Sequence, residues 1–410
     1  MNGSRLPAAE FEADDVVRSM QSAAIDDQLT DDQSEPPSDM LQVLSADGLR
    51  AGGMTAELAG ETVDFSTYLS YDAGHLRSLY RDMYLIRRFD QESTALQRQG
   101  QLALWVPLTG QEAAQIGSGR ALEAQDYAFP TYREHGVALT RGVRLAEILR
   151  LFRGVTNGGW DPRERNFHLY TLVLAAQSLH AVGYAMGLQR DQLADPDLPP
   201  GACIAYFGDG ASSEGDVHES MVFAASFDAP VVFFCQNNQW AISVPAAVQT
   251  RVPLARRAEG YGFPGIRVDG NDVLAVEAVT RWALDHARSG KGPVLIEAYT
   301  YRMSAHTTAD DPTKYRLSRE EQDWHPRDPL SRLESHLRSE GIADEEFFDE
   351  LAEEARAMAT DLREEVLSMI PPTLEDRFAT VYAEPHPLVQ EELRFFQDYE
   401  AGFADEDRGH

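Results

Sequence analysis

The chain has 410 residues, 43% of them hydrophobic, with 67 acidic against 36 basic side chains and a net charge of −31. Such a chain can bury a large α/β core with additions. Its acidity argues against a nucleic-acid partner, whose phosphates need a basic surface, and no apolar run approaches the roughly twenty residues of a membrane span. Cys203 and Cys235 lack metal-ligand spacing and sit in apolar runs, as expected of small buried residues in a reducing compartment. The N-terminal stretch pairs no basic residues with an apolar segment, so a cytoplasmic location is expected.

In chain order, residues 1–38 are rich in Asp, Glu, Ser, Gln and Pro and read as a disordered acidic arm. Residues 40–50 suggest a small hairpin turning at Asp47-Gly48, and 51–65 a flexible link. Residues 66–330 read as one α/β domain and 331–410 as a helical extension. His75 to Gln99 is apolar at helical spacing, and residues 110–122 form a second helix rich in small residues. A short strand ends at Phe129. The run from Leu169 to Leu188 reads as a buried helix, with Gly183 and Gly187 on one face for a helix–helix contact, internal or between subunits. Cys203–Phe207 and Val231–Cys235 are apolar enough for strands buried on both faces. Between them Val217, Met221, Val222, Ala224, Ala225 and Phe227 recur at helical spacing. Strands at 266–268 and 294–301 flank a helix over 273–288. Strands alternating with helices predict a doubly wound parallel sheet flanked by helices.

Two loops stand out. Gly208-Asp209-Gly210 breaks the first strand, and Asn237-Asn238 follows the second. A right-handed strand–helix–strand unit brings both loops to the same carboxyl edge of the sheet. Asp209 and Asn238 are therefore expected to meet, and two such oxygens beside a helix N-terminus suit magnesium carrying a diphosphate. A plain strand–helix–strand unit with polar turns is the alternative.

GDG followed 26 residues later by NN resembles the thiamine-diphosphate motif, and so the thiamine-diphosphate-binding fold. FPTYREHG (129–136), YFGDGASSEGD (206–216), FFCQNNQWAISVP (233–245), GIRVDGNDVLAV (265–276) and IEAYTYRMSAHTTADDPTKYR (296–316) widen the resemblance. Together they resemble the alpha subunit of the decarboxylating component of 2-oxo acid dehydrogenase complexes, over about residues 70 to 385. The resemblance implies magnesium on Asp209, the Asn238 side chain and the Trp240 carbonyl, with the Gly210 and Ala211 amides opening a helix toward the diphosphate. It implies further cofactor contacts from Tyr132, Arg133 and Leu174, the last through its backbone. His306 would touch the cofactor and act as the catalytic proton donor or acceptor. A potassium site is implied around Thr171, Val173 and Gln177.

The chain departs from some relatives at Gln236 (an arginine there), Ala176 (a potassium-ligating hydroxyl), and Thr307 and Leu317 (regulatory serines). The resemblance further implies a beta subunit that completes the site with a glutamate in a heterotetramer, and a lipoyl-bearing acyltransferase. Branched-chain 2-oxo acids are the expected substrates, with pyruvate as the alternative. A cofactor-binding, docking subunit without turnover is a rival expectation.

Overall fold

A computed structural model describes residues 40–58 and 60–403. The acidic arm expected over residues 1–38 lies outside the described residues. Five parallel strands form the central sheet: β3 (Tyr127–Phe129), β4 (Cys203–Gly208), β5 (Val231–Asn237), β8 (Gly265–Asp269) and β9 (Val294–Tyr299), in the order β3-β4-β5-β9-β8. Their side chains are buried on both faces. Ile204, Tyr206, Val232, Phe234, Val268 and Ile296 enter one core, and Cys203, Ala205, Phe207, Phe233 and Cys235 enter the other. Helices must therefore cover both faces. On the first lie α1 (Ala73–Arg98), α2 (Glu112–Ala121) and α7 (Val273–Arg288); on the second lie α5 (Ala176–Ala194) and α6 (Gly215–Ser226). The doubly wound parallel sheet expected from the sequence is the fold observed.

The remaining elements frame this body. Strands β1 (Thr55–Leu58) and β2 (Glu61–Asp64) pair antiparallel within the stretch expected as a flexible link. Phe65, fully buried edge-on against Trp282 at 5.3 Å, anchors the end of that hairpin. Residues 40–50 turn at Gly48, where φ is +81°, and Leu44 makes a single antiparallel bridge to Arg50. Leu41 also bridges Val268 in parallel, and the Val43 and Leu44 amides donate to Asp272 at 2.7 and 2.6 Å. The same carboxylate caps α7 through Leu274 and Ala275. Short helices α3 (His135–Thr140) and α4 (Leu145–Phe152) follow β3. Helices α8 (Pro329–Ser339), α9 (Glu345–Ser368) and α10 (Pro387–Ala401) make the C-terminal region helical. Gly341, at φ +63°, separates α8 from α9 in a stretch whose sequence reads as continuously helical.

Two expectations fail locally. The helix expected from Leu169 begins only at Ala176. Ala175 has φ +70°, which a right-handed helix cannot continue through, so residues 169–175 run as a loop. On α6 Val217, Met221 and Ala224 of the apolar series are buried and Ala225 packs partly buried against the core, whereas Val222 and the C-cap residue Phe227 are half exposed.

Candidate active site

Register places the two loops together. Gly208 pairs with Gln236 across β4 and β5, so both strands release their chains at one edge. Asp209 and Asn238 line the same cavity of about 290 Å3, with Gln111, Tyr132, Arg133, Leu174, Gly210, Ala211, Trp240, Ile242, Arg302 and His306 among the other walls. The close approach is enforced at Gly210, where a Cβ would stand 2.7 Å from that of Ala241. Trp240 and Ala241, which line the cavity, form β6, paired antiparallel with β7 (Val244–Pro245).

Asp209 is 2% exposed. Burial pushes its carboxyl up to about 6; the Arg302 charge, the Gln249 amide and the Asn238 backbone N–H act against that rise. Gln249 Nε2 donates to its outer oxygen at 3.2 Å. The Asn238 amide is oriented from both ends. Its Nδ2 donates to Gln111 Oε1 at 3.1 Å, and its Oδ1 accepts from the Trp240 N–H at 3.3 Å. Asn237, the other half of the pair, points away: its amide donates at 2.7 Å to the fully buried Glu297, which also accepts from the Ala255 N–H.

Two buried guanidiniums face this acidic side. Arg133 donates to the carbonyls of Pro107 and His306 and reaches His306 Nδ1 at 3.2 Å. Arg302 is fully buried and donates to the Trp240 and Ile242 carbonyls at 3.0 and 2.8 Å. Neither forms an ion pair among the described residues. The salt bridge that sequence proximity offers between Arg133 and Glu134 is not made, because Glu134 instead accepts from Thr131 and Gln236. Burial and the charge of Arg133 push Arg302 down to about 10. An anion placed between these cations would relieve both.

His306 sits against them. Burial and the two guanidiniums push its imidazole down to about 3, so it is neutral at pH 7. Nδ1 lies 3.2 and 3.4 Å from arginine donors and must be the acceptor, which leaves the hydrogen on Nε2. Its backbone N–H donates to Asp310 at 2.9 Å, fixing the loop. Tyr132 stands edge-on to the ring with centroids 6.2 Å apart.

No three His, Cys, Asp or Glu side chains converge as a metal cluster among the described residues. A divalent ion at Asp209 would thus depend on amide and carbonyl oxygens and on oxygens of a bound ligand. That donor set fits magnesium, a hard cation that retains substrate phosphates in its shell. The Trp240 carbonyl keeps one lone pair beyond its bond from Arg302.

The family described as dehydrogenase E1 component matches residues 80–374. The chain belongs to the dehydrogenase E1 component family. It is 46% identical over 323 residues to the 3-methyl-2-oxobutanoate dehydrogenase subunit alpha of Mycobacterium tuberculosis (strain H37Rv), spanning 78% of this chain and 86% of that protein. Identity to the pyruvate dehydrogenase E1 component subunit alpha of Staphylococcus aureus (strain Mu50) is 41% over 284 residues, 69% of this chain and 75% of that protein.

The candidate site residues named from the sequence line one cavity, apart from the potassium set. Gly210 and Ala211 line it, but they do not open an α-helix: Ala211–Ser213 is a single 3-10 turn, and α6 starts at Gly215. Thr171 and Val173 lie on the loop before α5. Gln177 is buried; its Nε2 donates to the Tyr206 carbonyl at 2.7 Å, and its Oε1 lacks a partner among the described residues. That orphaned oxygen fits a cation ligand. Gln236 spans Glu134 and Gln115 inside the wall. Sequence reading missed Gln111, Gln249 and Ile242. Ile242 is a β-branched residue at φ +54°, half exposed at the cavity rim, and nothing in a single sequence announces such strain. Gln111 did carry a signal, a glycine immediately before the first turn of α2.

Proposed function

We propose that this chain is the alpha subunit of a thiamine-diphosphate-dependent E1 component that oxidatively decarboxylates branched-chain 2-oxo acids. The acyl group then passes to the lipoyl group of an acyltransferase partner. One observation carries the reading: a single cavity gathers a buried carboxylate, an oriented amide and two buried guanidiniums that form no ion pair among the described residues. That is the polarity a magnesium diphosphate requires. Asp209, Asn238 and the Trp240 carbonyl hold magnesium, and Arg133 faces the diphosphate. The Gly210 and Ala211 amides and Tyr132 complete that wall, and the Leu174 backbone meets the aminopyrimidine. His306, neutral and protonated on Nε2, offers a hydrogen-bond donor to an oxygen in the cavity at pH 7. When bound, thiamine diphosphate supplies the carbon nucleophile and the electron sink for loss of CO2.

The beta subunit contributes the remaining wall and the pyrimidine-holding glutamate in a heterotetramer. Potassium binds at Thr171, Val173 and Gln177. A cytoplasmic location belongs to the same reading.

Branched-chain substrates are favoured by the greater similarity to the 3-methyl-2-oxobutanoate dehydrogenase subunit. The test is reconstitution of alpha with beta, thiamine diphosphate and magnesium. kcat/KM for 3-methyl-2-oxobutanoate should exceed that for pyruvate, and an equal or higher value for pyruvate would reverse the substrate assignment. His306→Ala should abolish reductive acylation of the lipoyl acceptor. Unchanged acylation would remove the histidine's role, and absence of turnover in the wild-type assembly would favour a docking subunit.

A further inference from the structure

We infer that Gln111 is a working part of this site: its carbonyl oxygen sets the orientation of Asn238, and its amide nitrogen is a donor reserved for an oxygen of the bound diphosphate. The inference rests on the magnesium diphosphate reading above and extends it to a residue that the resemblance leaves without a role. Gln111 is 1% exposed and lines the cavity. Its Oε1 accepts from Asn238 Nδ2 at 3.1 Å. With Asn238 Oδ1 already held by the Trp240 N–H, the Asn238 amide has one tolerable orientation. Turned over, it would set its nitrogen against the Trp240 N–H and its oxygen against Gln111 Oε1. Gln111 thereby keeps the Asn238 carbonyl oxygen, and not its amide nitrogen, on the side of the Trp240 N–H.

The other end of Gln111 has no partner. Nε2 is buried and makes no hydrogen bond among the described residues. A buried amide donor left unpaired is costly, and native structures keep one where a ligand or ion completes it. The backbone aims this side chain firmly. Gly110 stands at φ +97°, where a Cβ would strike the Tyr301 carbonyl. Its carbonyl accepts from Thr300 Oγ1 at 2.9 Å, and the Gln111 N–H donates to Leu108 at 2.9 Å. Packing alone would not need an amide there, since a methionine of similar volume would fill the space, leaving only Asn238 Nδ2 without its acceptor.

The test uses the co-expressed alpha–beta assembly and two variants. Gln111→Met removes both functions, whereas Gln111→Glu keeps an oxygen toward Asn238 and replaces the donor. Calorimetry titrates thiamine diphosphate at saturating magnesium, then magnesium at saturating thiamine diphosphate, and the ligand-free Tm reports folding. For Gln111→Met both constants should weaken by at least about fivefold, as loss of a buried hydrogen bond implies, with little change in ligand-free Tm, because losing the unpaired Gln111 donor offsets the acceptor lost by Asn238. For Gln111→Glu the thiamine diphosphate constant should weaken by at least as much. A smaller change in a folded Gln111→Met assembly overturns the inference. Should that variant not assemble, the Gln111→Glu constant decides alone on the same threshold. A wild type that binds thiamine diphosphate equally well without magnesium removes the underlying reading, and this inference with it.

Discussion

Asp209 is a carboxylate in a place where charge is costly. It is 2% exposed, its nearest polar contacts are amides, and burial dominates its proton affinity. Under the proposed function that carboxylate is kept for a cation. Asp209→Asn is therefore expected to stabilise the ligand-free assembly by about 1–3 kcal/mol at pH 7, while abolishing the stabilisation by magnesium and thiamine diphosphate that the proposed function predicts. Thermal melting with and without the ligands measures both. His135 is the contrasting case, a buried structural histidine. Its ring accepts from the Tyr170 hydroxyl at 2.7 Å and donates to the Val106 carbonyl at 3.0 Å, and burial pushes it down to about 3. A histidine lowered in the fold contributes stability that is complete above its unfolded value of about 6.5 and is lost as pH falls from there toward 3. Between pH 6.5 and 4.5 the Tm of wild type should therefore fall more steeply than that of His135→Gln. Parallel slopes would show that the ring charges without cost.

At the scale of elements, β4 and β5 do the positioning and the connections carry the chemistry. Both strands were legible because continuous apolar runs bounded by Gly and Asn admit few other structures. The helix at 169–188 was half legible. Its composition is helical, but Tyr170 is drawn to His135, and the Thr171 N–H donates to the Thr131 carbonyl at 3.3 Å. Such tertiary bonds leave no mark on hydropathy. On α5, added Cβ atoms at Gly183 and Gly187 would meet nothing within 4 Å in this chain. The contact expected there is therefore not made within the described residues, and α6 beside it exposes Val222, Phe223 and Phe227. Such a face fits a partner subunit. Gly187→Leu should leave the helical circular dichroism of alpha intact and prevent co-elution with beta. Retained co-elution would place the interface elsewhere.

For the whole molecule, the doubly wound sheet and the meeting of Asp209 with Asn238 both followed from the order of strands and glycine turns. Longer-range ties were not legible. The pairing of Arg133 with the His306 loop joins residues 173 positions apart, and Gln249 reaches back 40 to Asp209. Nothing local marks those partners, because the sheet edge alone brings them together. The same edge gives the site its character, with acid and amide from one pair of adjacent strands and guanidiniums from the loops after β3 and β9. The most direct measurement is a crystal structure of the alpha–beta assembly with thiamine diphosphate and manganese in place of magnesium. The anomalous signal should place the ion within bonding distance of an Asp209 carboxylate oxygen and Asn238 Oδ1, with the diphosphate facing Arg133. An ion bound away from Asp209 and Asn238, or a cofactor bound with none, would contradict it.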